Sequence, residues 1–195
     1  VHVDPQISDR PRRRLELTFD AFDTHHHTLW LRYAHTQVGS GAAAEQVVDA
    51  ACARLLEDWQ HVLSRESVPQ YAWAVLKEEV ARWLGEHSCP EPVLAGTAAF
   101  HSAIGKLLLS GTRDQFEVLE EEIGLYAAIS RLPERQYDVV VLRHVLRVPD
   151  EEVAEYMGID VATVRSQARH ARRRLAKALD LWEIETGEMN RAPHR

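Results

Sequence analysis

Thr163, Arg165, Ser166, Arg169, Arg172 and Arg173 lie on one face of a stretch running from Val148 to Leu179, VPDEEVAEYMGIDVATVRSQARHARRRLAKAL. Hydroxyls and guanidiniums are what a DNA groove asks for. They donate to phosphate oxygens, and a forked arginine can pair with a guanine edge. The intervening Val161, Val164, Ala168, Ala171 and Leu175 recur at helical spacing and are expected to face a core. Asp160 suits the N-cap of this helix. Upstream, Gly158 is placed to end another helix in the left-handed conformation. That helix is expected to be capped by Asp150 and to bury Val153, Ala154 and Met157. Together these features make a helix-turn-helix with a basic second helix. The plainer alternative is a solvated arginine rim on a helical bundle. Against it, Arg165 to Lys177 holds basic residues and no acidic one in a chain of formal net charge −7. Counterion release from phosphates needs clustered positive charge, so in this acidic chain DNA contact must be local.

The elements that would carry this face follow from composition and periodicity. A chain of 195 residues with 45% hydrophobic content suits one domain or two small ones. Alternating strand patterns are hard to find, so the fold class is expected to be all-α. Cys52 and Cys89 stand far apart and outside any paired motif, which suits a reduced, cytoplasmic protein. No apolar run is long enough for membrane insertion and no signal sequence is visible. Because the chain begins at Val1, a missing upstream segment is compatible with it. An enzyme is not expected. There is no glycine-rich phosphate loop, no paired metal-ligand spacing and no serine or cysteine set beside a histidine, and no cofactor is implied. Glu120, Glu121 and Glu122 occupy successive helical positions, as on a solvated face. The run His25, His26, His27 invites a metal reading. Consecutive helical residues point about 100° apart, so the three cannot share one ion, and a solvated helix end is expected with no metal.

Taken in order, residues 1–14 read as a flexible polar arm whose prolines discourage helix. A first domain is expected over 15–88. Its first helix spans about Leu17 to Val38 and is ended by Gly39 and Gly41. A second runs from about Ala42 to Leu63, burying Val47, Val48, Ala51, Leu55, Leu56, Trp59 and Leu63. A third follows Ser67 and Pro69 through Tyr71, Trp73, Val75, Leu76, Val80 and Trp83. Residues 89–112 open with two prolines and read as a linker, although Ala98 to Leu109 has the makings of a short helix. A second domain over 113–182 would hold helices at Arg113 to Arg131 and Glu134 to Arg147 before the helix-turn-helix. Residues 183–195 form a polar tail.

The segment ISRLPERQYDVVVLRHVLRVPDEEVAEYMGIDVATVRSQARHARRRL resembles region 4 of bacterial RNA polymerase sigma factors of the extracytoplasmic-function group. The resemblance rests on the Leu132-Pro133-Glu134-Arg135 start and on Ala162-Thr163-Val164-Arg165-Ser166. Residues 15–88 resemble region 2 of that family more faintly, through Ala44-Glu45-Gln46-Val47-Val48-Asp49 and Pro69-Gln70-Tyr71-Ala72-Trp73. The resemblance implies two helical domains joined by a linker, with core RNA polymerase and promoter DNA as partners and an anti-sigma factor as a further one. It implies DNA reading by Thr163, Arg165, Ser166 and Arg169, with Arg172 and Arg173 on phosphates. It also implies polymerase docking through Glu45, Asp49 and Arg54, and downstream-strand capture by Tyr71, Trp73 and Lys77. The chain departs from the pattern where Lys77-Glu78 and Glu79 stand in place of an arginine-asparagine pair, and where Gly85-Glu86-His87 replaces a basic run. Gln46 and Ala50 also fall where acids are usual. Two readings follow from these departures. One is a working alternative sigma factor. The other is a sigma-like regulator whose degenerate region 2 binds a protein while region 4 alone touches DNA. A plain two-helix regulator would need a dimerisation surface, and no heptad repeat supplies one.

Overall fold

The structure is a computed structural model. It describes the backbone of residues 5–87 and 128–189, and side chains within 13–87 and 128–178. The described residues are helical with no strand, as expected. None of their helices is long and apolar enough to cross a membrane. The chain divides into two compact units, Val1–Pro90 with Glu155–Gly158 and Glu91–Ala154 with Ile159–Arg195.

Among the described residues, 5–87 form α1 (Pro5–Val38), α2 (Gly41–Glu57), α3 (Trp59–Val62) and α4 (Val68–Glu86). Helix α1 begins at Pro5, inside the stretch expected to be a non-helical arm. Proline at a first helical position is pre-set in φ and lacks an N–H that would have no intrahelical partner anyway. Gly39, at φ 75°, ends α1, and its N–H closes onto the His35 carbonyl. Ser40 then caps α2 by accepting from the Ala43 N–H, and Ser67 caps α4 by accepting from the Gln70 N–H.

The second helix is shorter than its periodicity suggests. It breaks at Asp58, whose backbone leaves the helical region (φ −124°, ψ 32°). The predicted stripe is therefore only partly buried. Val47, Val48, Ala51, Leu55 and Trp59 are in the core, whereas Leu56 and Leu63 are 45% and 43% exposed. An aromatic cluster fixes the turn after the break. Trp59 meets Phe19 edge-on at 5.2 Å and Phe22 at 5.1 Å between centroids, while its indole N–H donates to the Thr18 hydroxyl. The histidine run sits in the middle of α1 and not at a solvated end. Three adjacent residues fan around most of a helix, so one must face inward, and His26 does.

Further along the chain, residues 128–130 end a helix, and the described chain continues through α5 (Glu134–Val140), a π-helical turn (Val141–Val145), α6 (Asp150–Met157) and α7 (Val161–Met189). The expected helices at 98–109 and over most of 113–131 lie outside the described residues. Pro133 is the N-cap residue of α5, where a proline needs no N–H. Sequence periodicity predicts one helix to Arg147, but the chain widens at Val141, where the Leu146 N–H reaches back to the Val141 carbonyl. Arg147 closes the segment at φ 58°, a conformation that costs a non-glycine residue about 1–2 kcal/mol. Val139, Val141, Leu142, Val153, Val164 and Ala171 are fully buried and hold these elements together.

Candidate nucleic-acid interface

The turn between α6 and α7 is set by Gly158 at φ 60°. The Ile159 N–H bonds the Ala154 carbonyl at 3.0 Å and the Gly158 N–H bonds the Glu155 carbonyl at 3.3 Å, the paired closure of a helix ended by a left-handed residue. Gly158→Ala is expected to lower the melting temperature by an amount worth about 1–2 kcal/mol, because the new Cβ is strained at positive φ. An unchanged melting curve would show that the turn relaxes freely.

Asp160 caps α7 as expected. Its carboxylate accepts from the Thr163 N–H at 2.7 Å and from the Thr163 hydroxyl at 2.9 Å. These bonds, the backbone one first, hold the Asp160 carboxyl below its ordinary range. Thr163 is thus half-buried against its cap, with the hydroxyl proton directed to Asp160.

Beyond the cap, Val164, Ala168 and Ala171 turn into the core while Arg165, Arg169, Arg172 and Arg173 are exposed and Ser166 is half-exposed. The structure therefore brings the predicted DNA-reading residues together along the outer side of one helix, Thr163 at its edge. Residues early in a recognition helix are those that reach base edges, and later ones meet the backbone. Arg173→Ala is expected to weaken binding to every DNA sequence alike and to reduce the salt slope by about 1. A loss confined to one sequence would reassign Arg173 to base reading.

Asp150 does something the sequence reading did not foresee. It is the first residue of α6, not its cap, and its carboxylate lies between two arginines. Arg143 Nε approaches Oδ1 at 2.7 Å and Arg165 Nε approaches Oδ2 at 3.0 Å. Asp150 is only 13% exposed, so this pairing joins the π turn, α6 and α7 through one half-buried acid. Burial, then the charges of Arg143 and Arg172, pull the neighbouring His144 imidazole below its usual value and favour its neutral form. No short-range periodicity links positions 143, 150 and 165, so sequence alone gave no sign of the cluster.

The first unit places its predicted residues less uniformly. Glu45 and Asp49, one turn apart, share an exposed side of α2. Arg54 points elsewhere, to α4, where Glu78 Oε2 lies at 2.6 Å and Glu79 Oε1 at 3.2 Å. Those two carboxylates hold its guanidinium firmly charged. Glu79 is 4% exposed and also receives Arg82 Nη1 at 2.6 Å. Trp73 is 3% exposed, with its ring 4.4 Å from that of Tyr33, so it belongs to the core and offers no face to an unstacked base. Tyr71 and Lys77 are half-buried. The guanidinium of Arg65 sits 4.9 Å from the centre of the Tyr71 ring. This is a cation–π contact that covers one face of the Tyr71 ring and places a positive charge beside it. Arg65 was missed because it lies in the loop before α4, outside any periodic pattern.

Residues 123–175 match the family model of sigma-70, region 4. The matched stretch takes in α5, the π turn, α6 and α7 as far as Leu175, and with them the whole arginine face and its Asp150 clamp. This part of the chain is similar to sigma-70 region 4 and has the helix-turn-helix arrangement of α6 and α7. The match covers well under half of the chain and assigns this domain alone. No curated protein matches the chain closely enough to count as a relative.

Proposed function

We propose that this chain is an alternative sigma factor of the extracytoplasmic-function group, acting in the bacterial cytoplasm. It binds core RNA polymerase and directs promoter-specific initiation, its region 4 reading the upstream promoter element. The observation that carries the reading is the region 4 domain with Arg165, Arg169, Arg172 and Arg173 aligned and exposed on its second helix. In this reading the first unit is region 2. Glu45 and Asp49 face the polymerase, while Tyr71, Arg65 and Lys77 take the downstream strand. The chain itself performs no catalysis, since nucleotide addition belongs to the polymerase, and an anti-sigma factor is the partner that would hold it inactive.

One observation favours a second reading, in which the first unit binds a regulatory protein and region 4 alone touches DNA. Trp73 is packed inside, and Glu78, with 59% of its side chain exposed, stands one residue after Lys77 on α4. Titration of the labelled chain with core polymerase separates the two. Saturable binding weakened by Asp49→Arg is expected. Absence of binding, with DNA binding retained, would favour the second reading.

A further inference from the structure

Asp23 and His27 lie one turn apart on α1, and Cys52 faces them from α2. His27 Nδ1 is 3.0 Å from Asp23 Oδ1, and Cys52 Sγ is 3.3 Å from the same oxygen. All three ligand atoms lie within 4.8 Å of one another. Metal–ligand bonds of about 2.0–2.3 Å at tetrahedral angles put neighbouring donor atoms about 3.3–3.6 Å apart. The two separations from Asp23 Oδ1 are therefore close to the edges of a coordination tetrahedron, and the remaining His27–Cys52 pair lies within 4.8 Å. We propose that Asp23, His27 and Cys52 bind a zinc ion that ties α1 to α2, with a water molecule in the fourth position.

The donor set selects the metal. A thiolate, an imidazole and a carboxylate in tetrahedral array suit zinc, whereas calcium and magnesium need an oxygen cage. The three residues are half-buried, so none is sealed off from solvent. Cys52 now donates its S–H to Asp23; on binding, that proton leaves to solvent and the sulfur bonds to zinc.

The histidine run suggested no metal because three adjacent imidazoles cannot converge. The site takes only His27 from that run and completes the set with the residue one turn before it and a cysteine on another helix. Asp49 lies one turn before Cys52 on α2, so occupancy would stiffen the helix assigned to polymerase docking. The metal site does not depend on that assignment.

Cobalt(II) titration of the reduced full-length chain is the test, read by thiolate-to-cobalt charge transfer and by the intense visible bands of tetrahedral cobalt. Binding of one ion per chain, reversed by zinc, is expected. His27→Gln should weaken it tenfold or more, since even groups that merely support a ligand change affinity by about 10–100-fold. Cys52→Ser should abolish the charge-transfer band, whereas His25→Ala and Cys89→Ser should leave it intact. Zinc should raise the melting temperature of the parent chain and not of Asp23→Asn. An unchanged band in Cys52→Ser, undiminished affinity in His27→Gln, or no tetrahedral spectrum in the parent chain would overturn the site.

Discussion

Glu79→Ala is expected to destabilise the first unit by about 2–3 kcal/mol, whereas Glu78→Ala changes it by less than about 1 kcal/mol. The two glutamates are adjacent in sequence and differ in surroundings. Glu79 is buried between Arg54 and Arg82, and removing it leaves two guanidiniums facing each other across the α2–α4 packing. Breaking a fully buried ion pair costs about 3–5 kcal/mol. Here Arg54 and Arg82 remain 41% and 55% exposed, so water recovers part of that cost. Glu78 is 59% exposed and its bridge to Arg54 is a surface one. Urea unfolding followed by tryptophan fluorescence reads this directly, since Trp30, Trp59, Trp73 and Trp83 all lie in the first unit. Equal midpoints for the two variants would show that Glu79 is not a structural anchor. The same asymmetry bears on function. If the first unit handles a DNA strand as proposed, Glu78 is the acid that can be replaced by a basic residue at little cost in stability, whereas replacing Glu79 would weaken the α2–α4 packing.

Arg165→Ala is expected to weaken binding to a promoter fragment by about 1–3 kcal/mol, roughly tenfold to a hundredfold, with a much smaller loss on unrelated DNA. Asp150 holds the Nε side of this guanidinium and so presents its far side outward from the second turn of α7. Asp150→Asn keeps the shape and removes the charge, and it should lose part of the same sequence preference by loosening Arg165. Fluorescence anisotropy with matched and scrambled fragments separates the roles. Unchanged affinity in Arg165→Ala would remove the residue from the reading set. Tighter promoter binding in Asp150→Asn would mean that the acid competes with DNA for the arginine.

Much of the helix-turn-helix was legible because its signals are local. A cap at Asp160, a left-handed glycine at 158 and an apolar stripe at Val164, Ala168 and Ala171 each act within a few residues, and the structure reproduces all three. The π turn was not legible, because Val139 to Leu146 is apolar on nearly every side and no periodicity marks where the helix widens. In the first unit, the stripe through Leu56 and Leu63 misled because a break at Asp58 changes the phase of everything after it. Trp73 read equally well as a stacking surface or as core, and packing against Tyr33 decided for the core. The clusters at Asp150, at Glu79 and around Asp23 each join residues from different helices. Such long-range meetings are set by packing, and no spacing rule along the chain records them.

Run-off transcription with core RNA polymerase and this chain, on promoter fragments from its own genome, tests the central claim most directly. Discrete start sites that appear only when the chain is present, and that disappear in Arg165→Ala, are the result predicted. Transcripts that are absent or identical with and without the chain, despite intact DNA binding by region 4, would contradict it.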